Sequence, residues 1–161
     1  YMKSSLPLKA SSSLFSFSFA DAVDSEPFQR LADEMLFSRF YQDPCIGYEK
    51  ANRLWRQSIK NHCEGRADKL LVAYKGTKPC GLIVLHQKGN KDFYLYAVGV
   101  LKKYQGKNVG SMMLQKVIEK YGRRFSLFVE TQAANIPALK LYQKNGFVLD
   151  RLTHILHLWR T

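Results

Sequence analysis

The chain has 161 residues, of which 46% are hydrophobic and 13% aromatic, and it carries a formal net charge of +12. That length suits one domain burying roughly two-thirds of its unfolded surface, and the composition excludes a disordered chain. The positive charge favours polyanions, among them nucleic acid, an acidic membrane surface or a phosphorylated ligand.

Residues 1–13 lack a continuous apolar core, so they read as a flexible segment rather than a signal peptide, ahead of a single domain over 14–161. Residues 14–19 alternate apolar and polar, which predicts a strand with one wet face. Ser25-Glu26-Pro27 is a helix-start signal. Phe28, Leu31, Met35 and Leu36 then recur at helical spacing up to Asp43-Pro44. A second helix is expected over 48–63, with Ala51, Leu54, Trp55 and Ile59 inside and Gly65 as its stop. Residues 69–74 and 80–86 read as strands joined by the hairpin signal of 75–79. A third strand, 93–100, follows Gly89-Asn90, and Gly99 suggests a bulge or the close approach of another backbone. The helix beginning at Asn108 presents Val109, Met113, Val117 and Tyr121 on one stripe. A short strand at 125–129, a helix at 137–145 ended by Asn145-Gly146, and a last strand at 154–159 complete the order. The predicted class is α/β, one domain on a mixed sheet. No run approaches the roughly 20 apolar residues of a membrane span.

Cys45, Cys63 and Cys80 are widely spaced and form no Cys-x-x-Cys pair. An odd set of this kind argues against a disulfide framework and against a structural zinc site, His62-Cys63 included. Reduced cysteines point to the cytoplasm, and no metal is expected.

The most informative stretch is Gln105-Gly106-Lys107-Asn108-Val109-Gly110, between a strand and an amphipathic helix. A helix N-terminus offers free main-chain N–H groups, and such a basic turn suits a pyrophosphate. Gly106 and Gly110 remove Cβ atoms from the approach of phosphate oxygens, Lys102, Lys103 and Lys107 add charge, and Gln105 offers a side-chain donor. Val109 and Leu114 bury the helix behind them.

This turn resembles the acetyl-CoA signature of the GCN5-related N-acetyltransferases, Gln/Arg-x-x-Gly-x-Gly/Ala. It departs at the central glycine, which is Asn108 here; asparagine tolerates a positive φ and keeps its N–H. A second resemblance lies in Asn135-Ile136-Pro137-Ala138, Tyr142 and Gly146-Phe147, where the family carries Asn-x-x-Ala-x-x-x-Tyr-x-x-x-Gly-Phe. Within the family, Ser38-Arg39-Phe40, Asp43-Pro44-Cys45-Ile46, the Trp55 helix, Thr131-Gln132 and Leu158-Trp159-Arg160 look like the branch that acetylates TDP-fucosamine, a nucleotide-linked amino-deoxy sugar.

The resemblance implies a mixed, mostly antiparallel twisted sheet flanked by about four helices. It also implies acetyl-CoA as co-substrate, bound by Val98, Val100, Leu101, Gln105, Gly106, Lys107, Asn108, Val109, Gly110, Ser111, Asn135, Ala138 and Tyr142. The pantetheine arm would lie along the end of the 93–100 strand, where N–H groups near Val98, Val100 and Leu101 polarise the thioester carbonyl. Tyr142 would protonate the departing thiolate. Glu130, His86 and His154 are the polar candidates for a base near strand ends, and Glu130 is placed among the catalytic residues. None of the cysteines sits in a nucleophile motif, so direct attack by the acceptor amine is expected. An amine of lowered pKa, as on a sugar, needs less help from a base than a lysine at about 10.4. The implied partners are acetyl-CoA and a small amine-bearing acceptor, with no nucleic acid or membrane span, and homodimerisation is left open. Competing classes are a basic nucleic-acid-binding domain and a family member that binds CoA without catalysis.

Overall fold

The computed structural model describes residues 14–156 and 158. The segment 1–13, expected to be flexible, lies outside the described residues, as do His157 and Trp159 of the last predicted strand.

Five strands lie side by side in sequence order: β1 (Ser16–Ala20), β2 (Lys69–Lys75), β3 (Lys78–Lys88), β4 (Asp92–Val100) and β5 (Ser126–Val129). The first four pair antiparallel and β5 joins β4 in parallel, so the sheet is mixed as predicted. Four α-helices are described: α1 (Arg39–Gln42), α2 (Tyr48–Asn61), α3 (Val109–Tyr121) and α4 (Ile136–Lys144). Antiparallel neighbours need only tight turns, whereas the parallel β4–β5 pair requires a crossover, and α3 supplies it. Gly76 (φ +60) makes the β2–β3 turn. The strands begin pairing at once, Lys75 opposite Lys78, so Pro79 lies inside β3 rather than in the loop. Proline has no N–H for the ladder, and the register slips between Ala73 and Tyr74, where Tyr74 faces it.

Both faces of the sheet are covered, which explains the unbroken apolar runs of β2 and β3. Leu71, Ile83, Leu85, Phe93 and Leu95 meet Met113, Leu114 and Val117 of α3 on one side. Leu70, Val72, Leu82, Val84 and Ala97 meet Phe28, Leu31, Ala32, Ile59 and Cys63 on the other. The helix predicted from Ser25 is a 3-10 helix, Glu26–Glu34, followed by a break and then α1. Its buried residues Phe28 and Leu31 stand three apart, which a three-residue turn stacks into one row. The second predicted helix keeps its start at Tyr48 and widens to a π turn over His62–Arg66, ended by Gly65 at φ +110.

Two expectations are corrected. The β4 bulge sits at Tyr96, between the pairs Val84↔Ala97 and Leu85↔Leu95, and not at Gly99. Gly99 is glycine because a Cβ there would stand 3.0 Å from Leu31 Cδ2, a side chain rather than another backbone. No strand is described over 154–156; His154, Ile155 and Leu156 are exposed and outside any ladder.

Candidate active site at the β4–β5 opening

The parallel pairing of β4 with β5 runs from Asp92↔Ser126 to Leu95↔Val129 and stops, while β4 continues to Val100. Beyond the Tyr96 bulge one edge of β4 therefore has no strand beside it. Which groups point into the gap follows from the other edge. The Leu101 N–H donates to Cys80 O at 2.9 Å, so Leu101 and Cys80 are a hydrogen-bonded antiparallel pair. Such pairs alternate along a ladder, which turns the N–H and C=O of Gly99 and Ala97 toward β3 as well. Val98 and Val100, in the intervening positions, direct theirs toward the gap. The Val98 and Val100 N–H groups are thus open to the gap, whereas the Leu101 N–H, predicted to polarise the thioester with them, is already engaged with Cys80 O.

The gap runs into the turn before α3. A 3-10 turn over Lys102–Tyr104 buries Tyr104, and Gly106 then takes φ +73. Asn108 follows at φ +62, ψ +11, the left-handed region that the asparagine substitution was expected to reach. Its side chain makes no capping bond to the helix. The first intrahelical bond is Met112 N to Asn108 O, at 3.1 Å. The N–H groups of Val109, Gly110 and Ser111 are therefore left without an intrahelical acceptor, at the positive end of the helix dipole. Lys103 and Lys107 reach their ammonium groups over the Tyr104 ring, 4.9 and 5.7 Å from its centroid. Lys144 Nζ donates to Asn108 Oδ1 at 3.4 Å.

Several predicted ligand residues turn out to brace this turn. Gln105 Nε2 donates to Val100 O (3.0 Å) and to Glu34 Oε2 (3.2 Å), tying the turn to the end of β4 and to the 3-10 helix. A Cβ on Gly110 would stand 3.3 Å from Leu141 Cδ2 and 3.8 Å from Val100 Cγ2, so the glycine lets α4 close against the start of α3. The buried Ser111 donates its hydroxyl proton to Asn145 Oδ1 at 2.8 Å. Asn135 caps α4, its Oδ1 accepting from Ala138 N at 3.2 Å, and Ala138 packs against the α3-side core.

Tyr142 projects from α4 into that core with Phe147 edge-on at 5.9 Å. Burial alone pushes its phenol up to about 12, so the group stays protonated over the whole neutral range. Glu130 is the first residue past β5, exposed, at the point where the two strands part. Of the other base candidates, His154 is exposed and belongs to no described element, whereas His86 on β3 stands directly opposite Tyr94. His86 gathers with His62, Tyr96 and Trp55 on the α2 face, a cluster that sequence spacing did not bring together.

Known proteins resemble this chain in sequence and in fold. Residues 28–147 match the acetyltransferase (GNAT) family. A curated relative is the spore coat polysaccharide biosynthesis protein SpsD of Bacillus subtilis (strain 168), 27% identical over 142 residues. That match covers 84% of this chain and 48% of SpsD, so the chain spans about half the length of this relative. Among solved structures, the ribosomal-protein-alanine N-acetyltransferase of Brucella melitensis superposes with a TM-score of 0.65 at 14% identity, covering 89% of this chain and 99% of that one. A GNAT family acetyltransferase from Elizabethkingia anophelis, solved with acetyl-CoA bound, gives 0.59 at 20% identity over 86% of this chain and 78% of its own. With the family match spanning most of the fold and both halves of the site, this chain belongs to the acetyltransferase (GNAT) family of N-acetyltransferases.

Proposed function

We propose that this domain transfers the acetyl group of acetyl-CoA directly to the primary amine of a nucleotide-linked amino-deoxy sugar. The observation that carries the first half is the opening itself. The unpaired edge of β4 at Val98 and Val100 leads to the uncapped N-terminus of α3. A pantetheine amide can add to that edge as a strand would, and a pyrophosphate suits the Val109–Ser111 amides. The family's cofactor fits the residues present.

In the chemical step, the Val98 or Val100 N–H stabilises charge developing on the thioester oxygen, worth about 3 kcal/mol per donor. Tyr142 donates to the sulfur as the C–S bond lengthens. With its phenol at about 12 and a thiol near 8.5, complete transfer ahead of bond breaking would cost about 5 kcal/mol. Tyr142 therefore works as a hydrogen-bond donor whose proton follows the electrons onto sulfur. Glu130, at the mouth, draws in the acceptor's ammonium group.

The sugar-amine acceptor is supported by the stretches Asp43–Ile46 and Thr131-Gln132, and by the name of the relative, a polysaccharide biosynthesis protein. Free, buried Cys63 and Cys80 suit work in the reducing cytoplasm. The deciding experiment is a thiol-release assay with sugar nucleotides, amino acids, polyamines and peptides as acceptors. Turnover confined to amino-sugar nucleotides is the expected result, and preference for a peptide N-terminus or polyamine overturns the acceptor assignment.

A further inference from the structure

On the α2 face of the sheet, beside the β4 bulge, side chains from separate segments converge. Tyr96 stacks on His62 with centroids 4.5 Å apart and 30° between the planes. His86 stands edge-on to both, 5.0 Å from His62 and 5.6 Å from Tyr96. The cluster grades outward from His62, which is 4% exposed, through the half-buried His86 to Tyr96, which is 50% exposed.

The nitrogen contacts define the tautomers. His62 Nδ1 lies 2.6 Å from the carbonyl oxygen of Ser58, so Nδ1 carries the proton and donates. His86 Nδ1 lies 3.3 Å from Asp68 Oδ2, and that carboxylate oxygen is itself fixed by the Gln87 N–H at 2.9 Å. A carboxylate so placed favours the proton on Nδ1, and the lone pair of Nε2 is left as the acceptor. His86, Tyr94 and Phe128 form one row across the sheet, with Tyr94 and Phe128 stacked at 5.0 Å. Immediately beyond that row, Tyr96 and Glu130 flank the place where β4 and β5 part.

We propose that His86 is the general base of the acetyl transfer, taking the acceptor's proton on Nε2 through a water at the edge of Tyr96, while Asp68 and His62 position its ring. The assignment rests on the direct-transfer reading of the β4–β5 opening and gives that reaction its base. An N–H bond of the acceptor's ammonium breaks and the proton goes to His86 Nε2. The freed nitrogen lone pair forms the N–C bond at the thioester carbonyl as the C–S bond breaks. The second proton lost from nitrogen replaces the one Tyr142 gives to sulfur, and His86 releases its own to solvent. Glu130 is the weaker base because no described residue fixes its carboxylate, whereas the imidazole is held on three sides.

The charged and titratable groups around this base are Asp68 on the loop before β2, His62 and Arg66 on the π turn, Tyr96 on β4, and Tyr94 with Lys88 4.2 Å over its ring. Burial, ahead of the opposing Ser58 contact, holds His62 below the usual histidine range. His62 thus stays neutral behind His86 and adds no second cation when the base takes its proton.

The test is the pH profile of kcat/KM for wild type, His86→Gln, Asp68→Asn and Glu130→Gln with the best acceptor amine, alongside calorimetry with acetyl-CoA. His86→Gln should lose about 100-fold at neutral pH and recover as rising pH delivers the amine already deprotonated, with acetyl-CoA affinity unchanged. Asp68→Asn should lower kcat and leave KM within about twofold, since the ring loses the carboxylate that orients it. Glu130→Gln should raise KM and keep the acid limb of the profile. The assignment is overturned if the His86→Gln profile superimposes on wild type, if its loss is equal at every pH, or if Glu130→Gln is the variant that erases the acid limb. Acetyl-CoA binding without turnover of any amine overturns it too. Wild-type protein that fails to bind acetyl-CoA strikes instead at the opening as a cofactor site, and the base assignment falls with it.

Discussion

The Ser111 hydroxyl donates to Asn145 Oδ1 across 2.8 Å, and Asn145 Nδ2 donates in turn to Leu141 O at the same distance. One hydrogen-bond chain thus joins the turn that starts α3 to the helix that carries Tyr142. Ser111→Ala leaves the Asn145 amide oxygen without its donor, at a cost of about 1–2 kcal/mol. Calorimetric melting should show Tm lower by a few degrees, and steady-state kinetics should show kcat falling more than acetyl-CoA affinity. An unchanged Tm would show that this latch contributes nothing.

Tyr142 carries a pH signature that is independent of any acceptor. Its phenol is raised to about 12 by burial, against about 10 in the unfolded chain. Below pH 10 both states hold the proton and the stability is fully present. Between about 10 and 12 the unfolded state loses its proton first, so stability falls by up to about 3 kcal/mol as pH rises through that window. Tyr142→Phe should flatten this alkaline loss in denaturant titrations while lowering kcat at least 10-fold and leaving acetyl-CoA affinity within about twofold. A normal kcat in that variant would remove Tyr142 from the chemistry.

Asn108 is the one non-glycine residue at positive φ among the described residues. Asn108→Gly should be tolerated in both stability and cofactor affinity, because glycine reaches that region without strain. Asn108→Val forces a β-branched side chain there at about 1–2 kcal/mol and distorts the turn. Acetyl-CoA should then bind at least 10-fold more weakly, measured by calorimetry. Equal affinity in the two variants would place the phosphates elsewhere.

Gly110 makes a different point. Its Cβ would meet Leu141 Cδ2 at 3.3 Å, a contact that a flexible leucine tip relieves. Gly110→Ala should therefore cost less than about 1 kcal/mol, whereas Gly110→Val drives α4 outward and costs about 1–3 kcal/mol. The valine variant should lose kcat through a displaced Tyr142 and lose acetyl-CoA affinity through the shifted turn. Chemical denaturation of both variants checks the order of the costs, and equal stability would refute the contact.

The parts of the fold legible in the sequence are those set by local patterning. Period-two alternation marked β1, Gly76 the hairpin, and the stripe from Val109 to Tyr121 the helix α3; the left-handed turn at Asn108 was legible only through the family signature, which carries glycine there. What was not legible depends on partners distant in sequence. Whether Leu101 or Val100 presents a free amide is decided by pairing with Cys80 across the sheet. The bulge at Tyr96 is a register shift against Val84 and Leu85, and it leaves no mark in the composition of β4. His62, His86 and Tyr96 are ordinary isolated residues until α2 is laid over β3 and β4. The helix after Ser25 had the right apolar face and the wrong pitch, because Phe28 and Leu31 fit a three-residue turn as well as a 3.6-residue one.

On the proposed function, acetyl-CoA lies in the gap beside Val98 and Val100, against the N-terminus of α3. Isothermal titration of the full chain with acetyl-CoA is the decisive measurement. Saturable binding at one site per chain is expected, weakened at least 10-fold in Asn108→Val and retained in Tyr142→Phe. Absence of saturable heat in the wild type, or equal affinity in wild type and Asn108→Val, would contradict it.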